Sequence, residues 1–138
     1  MSGEKDGGMT SSRPYLIRAL GEWIVDNQMT PYIIVDANHG HAIVPRQFIE
    51  NGKIVLNIGP YAVRNLEVSN DQVTFSARFS GVSMNVEVPV LGVLAIYARE
   101  NGQGMVFAED GNGPVSPPPE GGGKPEATPA KPALKLVK

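Results

Sequence analysis

The chain predicts a mainly β fold, a β-rich α+β domain in which one N-terminal helix precedes a small antiparallel barrel or sandwich. Three observations predict it. A single helix-periodic segment spans Tyr15 to Asn27, and after it alternating apolar runs follow one another at intervals of about ten residues up to Phe107. Beyond Ala108 the composition changes: of 12 prolines, seven lie there, so the folded part ends near residue 107. A chain of 138 residues then holds one domain, at 13–107, with a polar N-terminal arm at 1–12 and a long tail.

Ser12 can cap the helix, and Pro14 suits its first turn. Within the helix expected at 13–27, the charged residues Arg18, Glu22 and Asp26 fall at i, i+4 and i+8 and form one narrow stripe, along which Arg18 and Glu22 can pair. Leu16, Ile17, Leu20, Gly21, Ile24 and Val25 contribute to an apolar arc about 200° wide, where an ordinary surface helix shows roughly 100°. Such an arc needs two packing surfaces. One is the chain's own domain; the other is read as a second subunit, with Gly21 allowing close approach, and these six residues are the expected dimer interface. A helix sunk deep in its own domain is the competing reading.

Thr30-Pro31 ends the helix and the period changes to two. Tyr32 to Val35 is a short apolar run, Asp36 to Gly40 a turn cluster, and His41 to Val44 a further short run ending at Pro45. Asn51-Gly52 precedes a strand at Lys53 to Ile58, which Gly59-Pro60 breaks. Leu66 and Val68 lead to Asn70-Asp71, and Val73, Phe75, Ala77 and Phe79 alternate away from it as a hairpin. Ser80-Gly81 turns the chain into Val82, Met84, Val86 and Val88; Val93 to Ala98, the Asn101-Gly102 turn and Met105 to Phe107 complete the series.

From 108 to 131 the chain reads as a flexible Pro/Gly linker. Val115 is the one large apolar residue between Phe107 and Leu134, too little to offset the entropy of ordering the segment. Its r.m.s. span is roughly 27 Å if Gly-like, and more where proline stiffens it. Apolar character returns at 132–138, where Pro132, Leu134, Lys135, Leu136, Val137 and Lys138 read as a short linear docking motif. The formal net charge of -2 and the lack of a basic-aromatic strip argue against nucleic acid. The absence of cysteine excludes disulfides and thiolate catalysis. With no apolar leader at the N-terminus and no run long enough to span a bilayer, a cytoplasmic protein without membrane contact is expected.

Chemistry-bearing motifs are scarce. Asp36, His39 and His41 are the one constellation resembling metal ligands, but they occupy a turn where polar residues are expected anyway, so neither metal nor cofactor is expected. No nucleophile elbow, phosphate loop or dinucleotide fingerprint is present, and no catalytic residue is expected. One strand does raise a binding hypothesis: Phe75, Ala77 and Phe79 share a face, and two aromatics around a small residue make a trough over which a peptide backbone could lie. The same alternation also fits a core face.

Taken together, several segments resemble the stringent starvation protein B (SspB) family of adaptors. They are Arg13 to Ala19 with Glu22-Trp23 and Asp26-Asn27, Thr30-Pro31-Tyr32, Gly52 to Ile58, Asn65-Leu66-Glu67, Phe75 to Phe79, Ala95 to Gly102, and the end from Pro132 to Lys138. The resemblance implies an Sm-like barrel that dimerises through its N-terminal helix and performs no catalysis. It implies ssrA-tagged polypeptides as clients, held along the strand that carries Phe75, Ala77, Arg78 and Phe79; on spatial expectation the site extends to Met105 and Phe107 on the last strand and to Asn57. It also implies that the C-terminal segment 132–138 docks on the N-terminal zinc domain of the ClpX ATPase and tethers the client to the ClpXP protease. Two departures stand out: the linker is shorter and less acidic than the family pattern, and Ser76 stands where that pattern has asparagine. The rival reading is a small Sm-like RNA-binding module, against which the acidic net charge argues.

Overall fold

The computed structural model describes residues 9–108 and the backbone of 114–116. The expected docking segment 132–138, most of the 108–131 span and the first eight residues of the N-terminal arm lie outside the described residues.

Helix α1 runs Arg13–Asp26 with Pro14 in its first turn. Ser12 makes no side-chain cap, because its own backbone is already helical (φ -80, ψ -12). Ser11 takes the role instead, its Oγ accepting the Arg13 N–H at 3.1 Å. At the other end the helix stops before Thr30-Pro31 is reached. Gln28 adopts φ 58, the Met29 N–H donates to Ile24 O, and the Gln28 N–H donates to Val25 O. That pair of bonds is a Schellman closure, here made without glycine.

Two antiparallel sheets follow. Strands β1 (Pro31–Asp36), β2 (Lys53–Asn57), β6 (Val93–Ala98), β7 (Gly104–Phe107) and β8 (Pro114–Ser116) form one, in the order β2-β1-β6-β7-β8. Strands β3 (Val63–Val68), β4 (Gln72–Phe79) and β5 (Val82–Pro89) form the other, in that order. Among the described residues no ladder joins the two, so of the expected barrel or sandwich the antiparallel sheets are found and a closed sheet is not. Chain breakers explain part of this: Gly59-Pro60 follows β2, and Pro89 at the end of β5 has no N–H to donate. The run at His41 to Val44 is likewise no strand but a single bridge, Ile43 to Glu87. Strand β8 lies within the span read from sequence as linker; its backbone pairs with the otherwise open edge of β7.

The hairpins obey their turn residues. Ser80 and Gly81 take φ 53 and 82, as a two-residue type I′ turn between β4 and β5 requires. Both inner faces and α1 share one core: Ile33, Val35, Ile54, Leu56 and Ile96 from the first sheet, Val73, Phe75, Val86 and Val88 from the second, and Ile17 and Ile24 from the helix. Arg13 fastens the helix start to this body. Only 2% exposed, its guanidinium donates from Nη1 to Leu91 O (3.0 Å) and Val93 O (2.9 Å) and from Nη2 to Ala108 O, and lies 5.0 Å from the Phe107 ring centroid.

Candidate functional site

The β4–β5 hairpin is longer than the core that covers it. On its inner face Val73 and Phe75 are buried, whereas Ala77 and Phe79 are half-buried. On β5 Val88 and Val86 are buried, Met84 is half-buried and Val82 is 65% exposed. Alternation therefore continues past the point where anything packs on it, and the hairpin tip carries an apolar shelf.

The edge of β2 faces this shelf. Lys53 donates its N–H to Glu50 O and accepts from the Glu50 N–H, so both its backbone groups point away from β1. In an antiparallel ladder that direction recurs at every second residue. The backbone groups of Val55 and Asn57 hence also point off the edge, and among the described residues no strand pairs with them there. Consistently, the Ile58 N–H points the other way, to Pro31 O.

Between edge and shelf lies a cleft of about 820 Å³. Val55, Leu56, Asn57 and Ile34 form one wall, Ala77, Arg78 and Phe79 the other, and Phe48, Glu50, Asn51 and Lys53 one end. Phe48 reaches this end from the short 3-10 turn Arg46–Phe48, its ring 6.1 Å from that of Phe79. At the opposite end the Asn57 Oδ1 accepts the Gly59 N–H at 2.8 Å, which fixes the side chain and leaves its amide NH₂ without an acceptor among the described residues. The arrangement offers unpaired strand groups, an apolar floor and polar ends: the parts needed to hold an extended chain.

Of the residues the sequence nominates for a tag, the structure gathers Asn57, Ala77, Arg78 and Phe79 at this cleft. It does not bring the others there. Phe75 is 3% exposed and belongs to the core, since the second sheet is covered as far as that residue. Met105 and Phe107 sit on β7, three places from β2 in the sheet, facing inward; Phe107 is buried beside Arg13. Sequence reasoning missed Phe48, Lys53 and Val55. The one available signal was Phe48, a large aromatic in an otherwise polar turn.

The six helix residues divide in a similar way. Ile17 and Ile24 are 1% and 2% exposed within the chain's own core, so they have no surface left for a partner; Leu16 and Leu20 pack against that core. Gly21 and Val25 line a second cleft, of about 570 Å³, between α1 and β3 with Ile58, Val63, Leu66 and Val68. The large apolar side chains of the helix left exposed are Tyr15 (52% exposed), Trp23 (47%) and Val25 (36%). Arg18 does not pair with Glu22. It reaches β3 instead, donating to Val68 O (2.6 Å) and Asn70 Oδ1 (3.2 Å).

Elsewhere polar groups serve the frame. Burial tends to raise the Glu100 carboxyl, but donation from the Thr30 N–H (2.8 Å) and Oγ1 (2.7 Å), with Arg99 beside it at 3.1 Å, leaves it below the ordinary carboxylate value. The Tyr97 phenol is pushed up, by burial first and by Tyr32 second. Asp36 Oδ1 accepts the Asn38 N–H, and among the described residues no three His, Asp or Glu side chains converge as metal ligands. No helix among the described residues is long and apolar enough to cross a membrane.

Comparison with known proteins adds a family. The family model described as SspB, stringent starvation protein B, matches residues 11–137. A stringent starvation protein B homolog of Haemophilus influenzae is 50% identical over 95 residues, which make up 69% of this chain and 63% of that relative. The chain thus spans less than two thirds of the curated relative's length.

Proposed function

The chain belongs to the stringent starvation protein B family, and on that premise we propose that it is a cytoplasmic, non-enzymatic adaptor that holds the ssrA tag of client polypeptides and delivers them to the ClpXP protease. The observation that carries this reading is the cleft between the free edge of β2 and the half-buried shelf at Ala77 and Phe79. A tag lying there in extended form adds a strand to the sheet, its main chain bonding to Val55 and Asn57 and one line of its side chains resting on the shelf. Ala77 is small because the peptide passes over it. The C-terminal residues 132–138 dock on the zinc domain of the ClpX ATPase, so the client is held near the protease at an effective concentration on the order of millimolar. A homodimer, formed around α1 through Gly21, Val25 and the exposed Trp23, doubles the number of docking segments.

Fluorescence anisotropy with a labelled tag peptide tests the holding step. Ala77→Gln fills the shelf and is expected to abolish binding while the unfolding transition stays cooperative. Deleting Leu134 to Lys138 is expected to leave tag affinity intact and to remove the acceleration of client degradation in a reconstituted protease reaction. Acceleration by the truncated chain at sub-saturating client refutes the tethering account, and wild-type affinity in Ala77→Gln refutes the placement of the tag.

A further inference from the structure

The short strand β8 is bounded on both sides by residues that decide where it can pair. Before it, Gly111-Asn112-Gly113 are the residue types that tolerate positive φ and turn a chain readily. After it, Pro117, Pro118 and Pro119 have no N–H to donate. The stretch between, Pro114–Ser116, pairs antiparallel with β7, with Val106 opposite Ser116 and, after a shift of one residue, Phe107 opposite Pro114. Proline at the first position of an edge strand is compatible with such pairing.

The edge that β8 meets is prepared by the body of the domain. The Ala98 N–H donates to Gln103 O at 2.8 Å, so the main-chain groups of Gln103, and by alternation those of Met105, point toward β6. Those of Gly104 and Val106 point the other way, off the sheet. Val106 and Ser116 can therefore exchange a pair of main-chain bonds. By the same register the next such position on β8 is Pro118, opposite Gly104, and it cannot donate. At the root of the pair, Arg13 donates from Nη2 to Ala108 O, which fixes the point where the chain leaves β7.

From this we propose that the β7 edge is a strand-addition site that the chain fills with its own residues 114–116, a strap that sets where the tail begins. Left open, Gly104 and Val106 would offer a template for a strand of another chain; the strap occupies it from within. It also moves the root of the tail from Ala108 to Ser116. The tether to the docking segment 132–138 is then the 15 residues 117–131, in place of the 24 from 108 to 131. On a Gly-like scale its r.m.s. span falls from roughly 27 Å to about 21 Å. The effective concentration of the docked end rises about twofold. This consequence rests on the tethering role under the proposed function; the strand pairing does not.

Amide hydrogen exchange, followed by NMR on the full-length chain, tests the strap. The Val106 N–H is expected to exchange slowly in the wild type and about tenfold faster in Ser116→Pro, where a ring carbon replaces the N–H that faces Val106 O. Met105, opposite Ile96 on β6, is expected to keep its protection. Ser116→Ala retains the N–H and is expected to leave Val106 unchanged. In a reconstituted degradation reaction, Ser116→Pro is expected to raise about twofold the concentration of this chain that gives half-maximal acceleration. Ala127→Pro, which adds the same ring beyond the strand, is expected not to. Exchange at Val106 as fast in the wild type as in Ser116→Pro overturns the strap. Slow exchange with unchanged delivery by Ser116→Pro overturns its role in setting the reach. Absence of acceleration by the wild type overturns the tethering role and the effect on reach with it, while exchange at Val106 still decides the strap.

Discussion

Replacing Arg13 by alanine should destabilise the domain more than any other single truncation of a charged residue. The side chain is 2% exposed and donates to three carbonyls, those of Leu91, Val93 and Ala108, across 78 to 95 residues of sequence. Truncation leaves each carbonyl short of a donor, at about 1 kcal/mol apiece, the low end of the range because water can reach the vacated space. Loss of the contact with the Phe107 ring adds about 0.5–1 kcal/mol. The sum, about 3.5–4 kcal/mol, is a large part of the ~5–15 kcal/mol that holds a domain of this size together. It corresponds to a fall in melting temperature of about 15 °C or more. Arg13→Lys should recover only part of it, because an ammonium cannot span the carbonyls with a planar fork. Urea unfolding followed by tryptophan fluorescence at Trp23 measures the change directly. A loss below about 1 kcal/mol for Arg13→Ala would show that the buried guanidinium contributes no net stability, its desolvation cancelling its hydrogen bonds.

Two further predictions concern the β6–β7 hairpin. At Gly104 an added Cβ would collide with the Ile96 carbonyl oxygen and come within 2.5 Å of Tyr97 Cα. Backbone cannot yield as a side chain can, so Gly104→Ala should cost about 2 kcal/mol or more and raise amide exchange along β7; wild-type protection factors there would contradict the steric argument. The depressed carboxyl of Glu100 sets a pH dependence. Its contribution is complete above the unfolded carboxylate value of about 4.3 and is lost as pH falls from there through the lower folded value. Glu100→Gln should therefore flatten the acid limb of a stability–pH curve, and an unchanged acid limb would exclude the Thr30 link as its source.

The sequence by itself determined the local elements. Arg18, Glu22 and Asp26 at helical spacing marked α1. Asn70-Asp71, Ser80-Gly81 and Asn101-Gly102 marked the hairpin turns, because a turn is decided by the few residues that must adopt its dihedrals. Period-two alternation told which side chains share a face. It could not tell how far along a strand that face is covered: Phe75 and Phe79 look alike in the pattern, yet one is core and the other lines the cleft. Nor does helical spacing tell which part of a wide apolar arc is covered: Ile17 and Ile24, expected at a partner subunit, are buried in the chain's own core. Which strand lies at an edge, which loop brings Phe48 to within 6.1 Å of Phe79, and which carbonyls Arg13 finds were decided only by the tertiary structure. Each depends on pairings between residues far apart in the chain, where burial and hydrogen bonding are settled by what packs opposite rather than by the neighbours in sequence.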